Sequence, residues 1–183
     1  MTTKEATNTY RTTARVVGVI YLMGFVVGIG GMGLYQSILG APNHLSTLSA
    51  NSMLLAFAAI LWLMAAVGDA AHGVLMFPVL KPHNERIAVG YLAFRIMDAV
   101  FVAILVLFVL LQIPLGSEYL KAGASDTSYL QALSTVFAQA QLYAYEIGMI
   151  TLGAVGYVTS AMVRLAGDYL MQWRTRELAL GGQ

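Results

Sequence analysis

The chain has 183 residues, 58% of them hydrophobic and 10% charged, with a mean hydropathy of +0.72 and a formal net charge of +1. A soluble domain is about 45–50% apolar and about 25% charged, so too little polar surface is left here to enclose a water-soluble core. Soluble, disordered, collagen-like and disulfide-stapled classes are excluded, the last by the absence of cysteine, and the small net charge gives no reason to expect a nucleic-acid partner.

A helix that crosses a bilayer needs about 20 mostly apolar residues. Four segments supply them. The first runs from about Arg15 to Gln36, behind a basic start carrying Lys4, Arg11 and Arg15. Its apolar run, from Val16 to about Leu34, is longer than the roughly 7–15 residues of a signal-peptide core and precedes no small-residue cleavage site, so it reads as a retained span. Gly24, Gly28 and Gly31 mark one of its faces, a spacing that lets helix backbones approach closely within a bundle or between two copies. Ala66, Ala70 and Gly73 are the expected facing groove. GIGGMG lacks the preceding strand and aqueous setting of a phosphate-binding loop.

The second span runs from about Ser52 to Leu80, closed by Pro78 and Pro82, and the third from about Arg86 to Ile113, with Pro114 expected to stop it. His44 and His83 read as loop residues. Between Thr127 and Gln141, the residues Tyr129, Leu130, Leu133, Val136 and Phe137 mark one helical face, while Gln131, Ser134 and Gln141 point elsewhere. That segment is either an interfacial helix or the outer extension of the fourth span, whose apolar core runs from about Leu142 to Val163. After Arg164, the residues Leu165, Tyr169 and Trp173 recur beside Arg174 and Arg176, which fits an amphipathic tail over 164–183 or a plain continuation of the fourth helix. The expected fold is all-α: a polytopic membrane protein, one integral membrane domain over residues 1–183. It is built as a four-transmembrane-helix up-down bundle with short amphipathic flanking helices.

Orientation follows the basic residues. Lys4, Arg11, Arg15, Lys81, Arg86, Arg164, Arg174 and Arg176 share one side under this topology, and the opposite loops hold only Lys121. Both termini are therefore expected in the cytoplasm.

Ionisable residues inside the hydrocarbon are the functional pointers: Asp69 and His72 on the second span, Arg95 and Asp98 on the third, and Glu146 on the fourth. Each charge at a helix centre costs about 2.5–3.5 kcal/mol on the insertion scale, which favours pairing over exposure to lipid. Asp69 and Asp98 each lie about 18 Å above the turn that joins their helices, and His72 and Arg95 each about 13.5 Å. The depths match, so an Asp69–Arg95–Asp98 cluster with His72 below it is expected. On the fourth span, Gln139, Tyr143, Glu146, Gly153, Tyr157 and Ser160 fall near one face and offer a matching stripe. With all four charges ionised the cluster sums to −2, a setting in low dielectric that favours binding a proton. Such clusters also simply hold helices in register.

The stretch FPVLKPHNERIAVGYLAFRIMDAV (Phe77–Val100), the opening ARVVGVIYL, the loop AGASDTSYLQAL and the run YEIGMITLG resemble the domain-of-unknown-function 4386 family of bacterial integral membrane proteins over about Ala14 to Val158. The resemblance implies a bacterial inner-membrane location and no particular reaction. It also implies further spans beyond the fourth, in whose place this sequence has RLAGDYLMQWRTRELALGGQ, so the chain reads as a shortened form.

No zinc-protease HExxH, nucleophile elbow or metal-ligand spacing is present, so neither catalytic nor metal-binding residues nor a cofactor are expected. His72 alone hints at a haem or quinone site. The expected function is that of a small structural or accessory subunit, docked on a larger membrane complex or on itself, with the bilayer around it. The alternative is a proton-linked transporter or channel using Asp69, His72, Arg95, Asp98 and Glu146. Unbroken helices and the absence of an inverted repeat weigh against it.

Overall fold

The computed structural model describes the backbone of residues 3–41, 44–122 and 127–180, and the side chains of these residues from 12 onward except 158, 159, 161–163 and 165–180. Every described element is a helix: α1 (Thr3–Leu39), α2 (His44–Ala50), α3 (Ser52–Leu80), α4 (Glu85–Ala122) and α5 (Ser128–Leu180). Three stretches, Thr12–Leu39, Ser52–Leu80 and Glu85–Ala122, are long and apolar enough to cross a membrane. The protein is an all-α polytopic membrane protein. The fourth expected span lies in the middle of α5, which runs unbroken for 53 residues.

α1 packs on α3, α3 on α4 and α4 on α5, while α2 wedges against α4. Close approaches show each long pair to be antiparallel. Gly31 meets Trp62 whereas Gly68 meets Ile20, and Gly148 meets Asp98 whereas Ser134 meets Gln112. The turn from α3 to α4 is tight: His83 and Asn84 donate backbone N–H groups to the Leu80 carbonyl. Asn84 then caps α4, its Oδ1 accepting from the backbone N–H of Arg86 at 3.0 Å and of Ile87 at 3.3 Å. His83 is exposed in this turn, as expected.

Four features differ from the sequence reading. First, α4 does not stop at Pro114 but continues to Ala122. Proline removes one N–H and frees a carbonyl a turn earlier, a loss membrane helices tolerate where neighbours pack on them. Here Leu115 and Gly116 are buried, and a Cβ on Gly116 would stand 2.9 Å from the Ser49 backbone nitrogen of α2. Second, α2 itself was not anticipated. It has only seven residues, and it is held by burying Leu45 and Leu48 in the core with Ile38, Leu55, Leu105 and Val109. His44 opens this helix half-buried instead of lying in a loop.

Third, the segments flanking the fourth span are not separate helices. Residues from Ser128 onward and the backbone to Leu180 belong to α5, so the outer segment is an extension of the span. The side chains of Leu165, Tyr169, Trp173, Arg174 and Arg176 lie outside the described residues, as do those of Lys4 and Arg11. Fourth, the outer part of α5 does not follow its apolar pattern: Leu130 and Phe137 reach the core, but so do two of the polar residues. Ser134 and Gln141 are 1% and 4% exposed, whereas Tyr129 and Val136 point outward. The inward stripe continues through Ala144, Gly148, Thr151 and Val155, and α4 answers it with Ala88, Tyr91, Arg95, Asp98, Leu105, Val109 and Gln112. Lipid tails are as apolar as leucine, so side-chain apolarity does not sort inside from outside. Small and hydrogen-bonding residues gather at helix contacts. Gln112 shows the result: its Nε2 donates to the Ser134 carbonyl at 3.0 Å and its Oε1 accepts from the Ser134 hydroxyl at 2.7 Å.

The seat of α2 is testable. Gly116→Ala should force α2 off α4 and lower stability by about 1–3 kcal/mol through overpacking. Thermal melting of the detergent-solubilised protein checks this, and an unchanged midpoint would place α2 elsewhere.

Candidate functional site

The tight α3–α4 turn brings the expected depths level. From α4, the Arg95 Nη1 donates to Asp69 Oδ1 of α3 at 2.7 Å, forming an ion pair between the two helices. Such close contact needs a small residue opposite, and Gly73 supplies it, since a Cβ there would stand 2.9 Å from the Arg95 Cβ. Gly73 therefore faces α4, not α1 as its expected place in a groove for the first helix required. Asp98 is buried one turn from Arg95 on the same face of α4. Gly148 of α5 leaves room for it: a Cβ there would lie 3.2 Å from Asp98 Oδ1. One turn nearer the α3–α4 connection, His72 Nε2 and the Tyr91 hydroxyl are hydrogen-bonded at 3.0 Å.

Asp69, Arg95, Asp98 and His72 thus meet as the sequence places them. Two aromatic partners escaped it. The rings of Tyr21 and Tyr91 lie 5.9 and 5.8 Å from the Arg95 guanidinium carbon, within cation–π range. For Tyr91 the signal was available, four residues before Arg95 on the same face. Tyr21 sits on α1, and no local spacing links it to Arg95.

Glu146 does not join the cluster. It is exposed on the side of α5 turned away from α4, and among the described residues it has no ion-pair or hydrogen-bond partner. Gln139, Tyr143, Gly153, Tyr157 and Ser160 share that exposure, so the whole stripe expected to match the cluster points outward. The sequence identified the stripe and left its direction open; Gly148 and Ser134, the residues that touch α4, decide it.

The helix-packing glycines divide. Gly31 does pack, with a Cβ position 3.2 Å from the Ala58 carbonyl and the Trp62 indole nitrogen. Gly24 and Gly28 have nothing within 4 Å and open instead onto a cavity of about 330 Å³. This cavity lies between α1 and α5, with Trp62, Asp69, His72 and Arg95 in its walls. A second cavity of about 530 Å³ adjoins it toward α2, sharing Met32 and lined by Gln36, His44, Gln139 and Gln141 among others. At the opposite end Leu80, Ala88, Tyr91 and Val155 pack together.

Breaking the ion pair tests the cluster. Arg95→Leu leaves the half-buried Asp69 without its cation beside the buried Asp98 and should cost about 3–5 kcal/mol. The double variant Arg95→Leu/Asp69→Asn should recover part of that loss in thermal melts. Equal loss in both would separate Asp69 from the energetics of Arg95.

No curated protein and no solved structure matches the chain. A family model does match, over residues 16–169, and it covers most of the first long apolar helix, all of the other two, the α3–α4 turn and every residue of the cluster. The chain belongs to the family described as domain of unknown function (DUF4386).

Proposed function

We propose that this protein is a small structural or accessory subunit of the membrane, associating through the outward face of α5 with another membrane protein or with a second copy of itself. Glu146 carries this reading. It lies two residues from Gly148, which packs beside Asp98, so it stands about 21 Å from the level of Arg86 and about 27 Å from that of Glu118. An ionisable group at such a depth costs about 2.5–3.5 kcal/mol against lipid, and a partner offering a hydrogen-bond donor at that level removes the cost. Gln139, Tyr143 and Ser160, exposed on the same stripe, extend the polar surface available to that partner. In this arrangement α5 crosses the bilayer as a fourth span and both termini lie in the cytoplasm of a bacterial inner membrane, consistent with the distribution of lysine and arginine.

The alternative of a proton-linked transporter or channel has less support. Among the described residues, the side of the cluster nearer the α3–α4 turn is packed by Leu80, Ala88 and Val155 around Tyr91, whose hydroxyl is taken up by His72.

Native mass spectrometry of the protein extracted from its own membranes in mild detergent tests the association. The expected result is a fixed stoichiometry with a partner or copy, lost or weakened at least about tenfold in Glu146→Leu. A monomer, or an assembly indifferent to Glu146→Leu, would overturn the reading.

A further inference from the structure

The cavity between α1 and α5 has one polar wall. Asp69, His72 and Arg95 line it, with the Asp69 side chain 26% exposed and that of Arg95 4%. The carboxylate is the more open of the two charged groups in that wall. Arg95 is held by Asp69 and two tyrosine rings, and its buried Nε has no hydrogen-bond partner. Asp69 and Asp98 bring two carboxyls to one guanidinium's neighbourhood, and Asp69 alone is ion-paired with it. One negative charge is left to match, either by a proton on a carboxyl or by a cation in the cavity.

The rest of the wall suits a cation of a particular kind. Tyr21, Phe25, Trp62 and Tyr145 supply aromatic rings, and ring faces attract cations most strongly where water is excluded. Gly24 and Gly28 keep the α1 wall open, and the volume falls within the range of small-molecule sites. We infer that this cavity binds a lipophilic organic cation, an aryl-substituted amine or onium ion, with its charge at Asp69 and its apolar body among the rings of α1, α3 and α5. The site is separate from the Glu146 stripe and does not depend on the association proposed above.

The titratable and charged groups around Asp69 are Tyr21 on α1, His72 on α3, Tyr91, Arg95 and Asp98 on α4, and Tyr145 on α5. Of these, Arg95 repels a bound cation, and it is already engaged by Asp69. A cation at Asp69 takes the place of the proton that would otherwise balance the second carboxyl, so binding releases a proton to solvent. No covalent bond changes.

Calorimetric titration of tetraphenylphosphonium into the full chain in detergent, in two buffers of different ionisation enthalpy, tests this. Saturable binding is expected with about one proton released per site. Tetraphenylborate, of the same shape and opposite charge, should not bind. Asp69→Asn and Gly28→Leu should each weaken tetraphenylphosphonium at least about tenfold. Gly28→Leu fills open space and leaves the carboxyls in place, so it reports on the cavity even if Asp69→Asn fails to fold. Absence of saturable binding, equal binding of the anion, binding without proton release, or indifference to Gly28→Leu would each overturn the inference.

Discussion

The ion pair between Arg95 and Asp69 sets the terms for the rest of the molecule. A guanidinium cannot face lipid cheaply at this depth, so α3 and α4 must be neighbours, antiparallel and aligned to within about one residue. The contact in turn demands glycine at position 73, where the Arg95 stem passes over α3, and favours it at 148, where α5 clears Asp98. Neither glycine is there for backbone freedom. Each is there because a methyl group would crowd a charged side chain.

The same constraint explains why the contacts between α4 and α5 look like the inside of a polar protein. Gln112, Ser134, Gln141 and Thr151 are all buried there beside Leu105, Val109 and Leu130, while many other leucines, valines and tyrosines of the two helices are turned outward. In water this arrangement would be inside out. In a bilayer the outward residues meet tails of their own polarity, and the inward ones gain hydrogen bonds that lipid cannot offer. Glu146, exposed on the outward face of α5, does not follow this pattern.

Much of this was legible in the residues, and the limits have physical causes. The bounds of α3 and the levels of Asp69, His72, Arg95 and Asp98 follow from a short turn and a fixed rise per residue, which are local quantities. The passage of α4 through Pro114 is not local, because it rests on α2 packing against Gly116. Nor was α2 visible as an element, since seven residues form a helix only when a core accepts Leu45 and Leu48. The direction of the α5 stripe was hidden for a different reason. Periodicity finds a face without saying what lies against it, and the usual rule that apolar means inside is silent in lipid. Gly24, Gly28 and Gly31 show the same ambiguity in one motif, one member packing against Trp62 and two opening onto the cavity.

The tightness of the turn capped by Asn84 has a consequence for how this sequence can vary. Each residue of helix advances about 100° around its axis. A single insertion between His72 and Leu80 would therefore swing Asp69 away from Arg95 and toward lipid, and a compensating insertion between Arg86 and Tyr91 would restore the depth without restoring the facing. Substitutions along these two stretches can be absorbed one at a time, but changes in length cannot. The chain between the two carboxyls is thus a ruler as well as a connector, and its length is constrained more tightly than its composition.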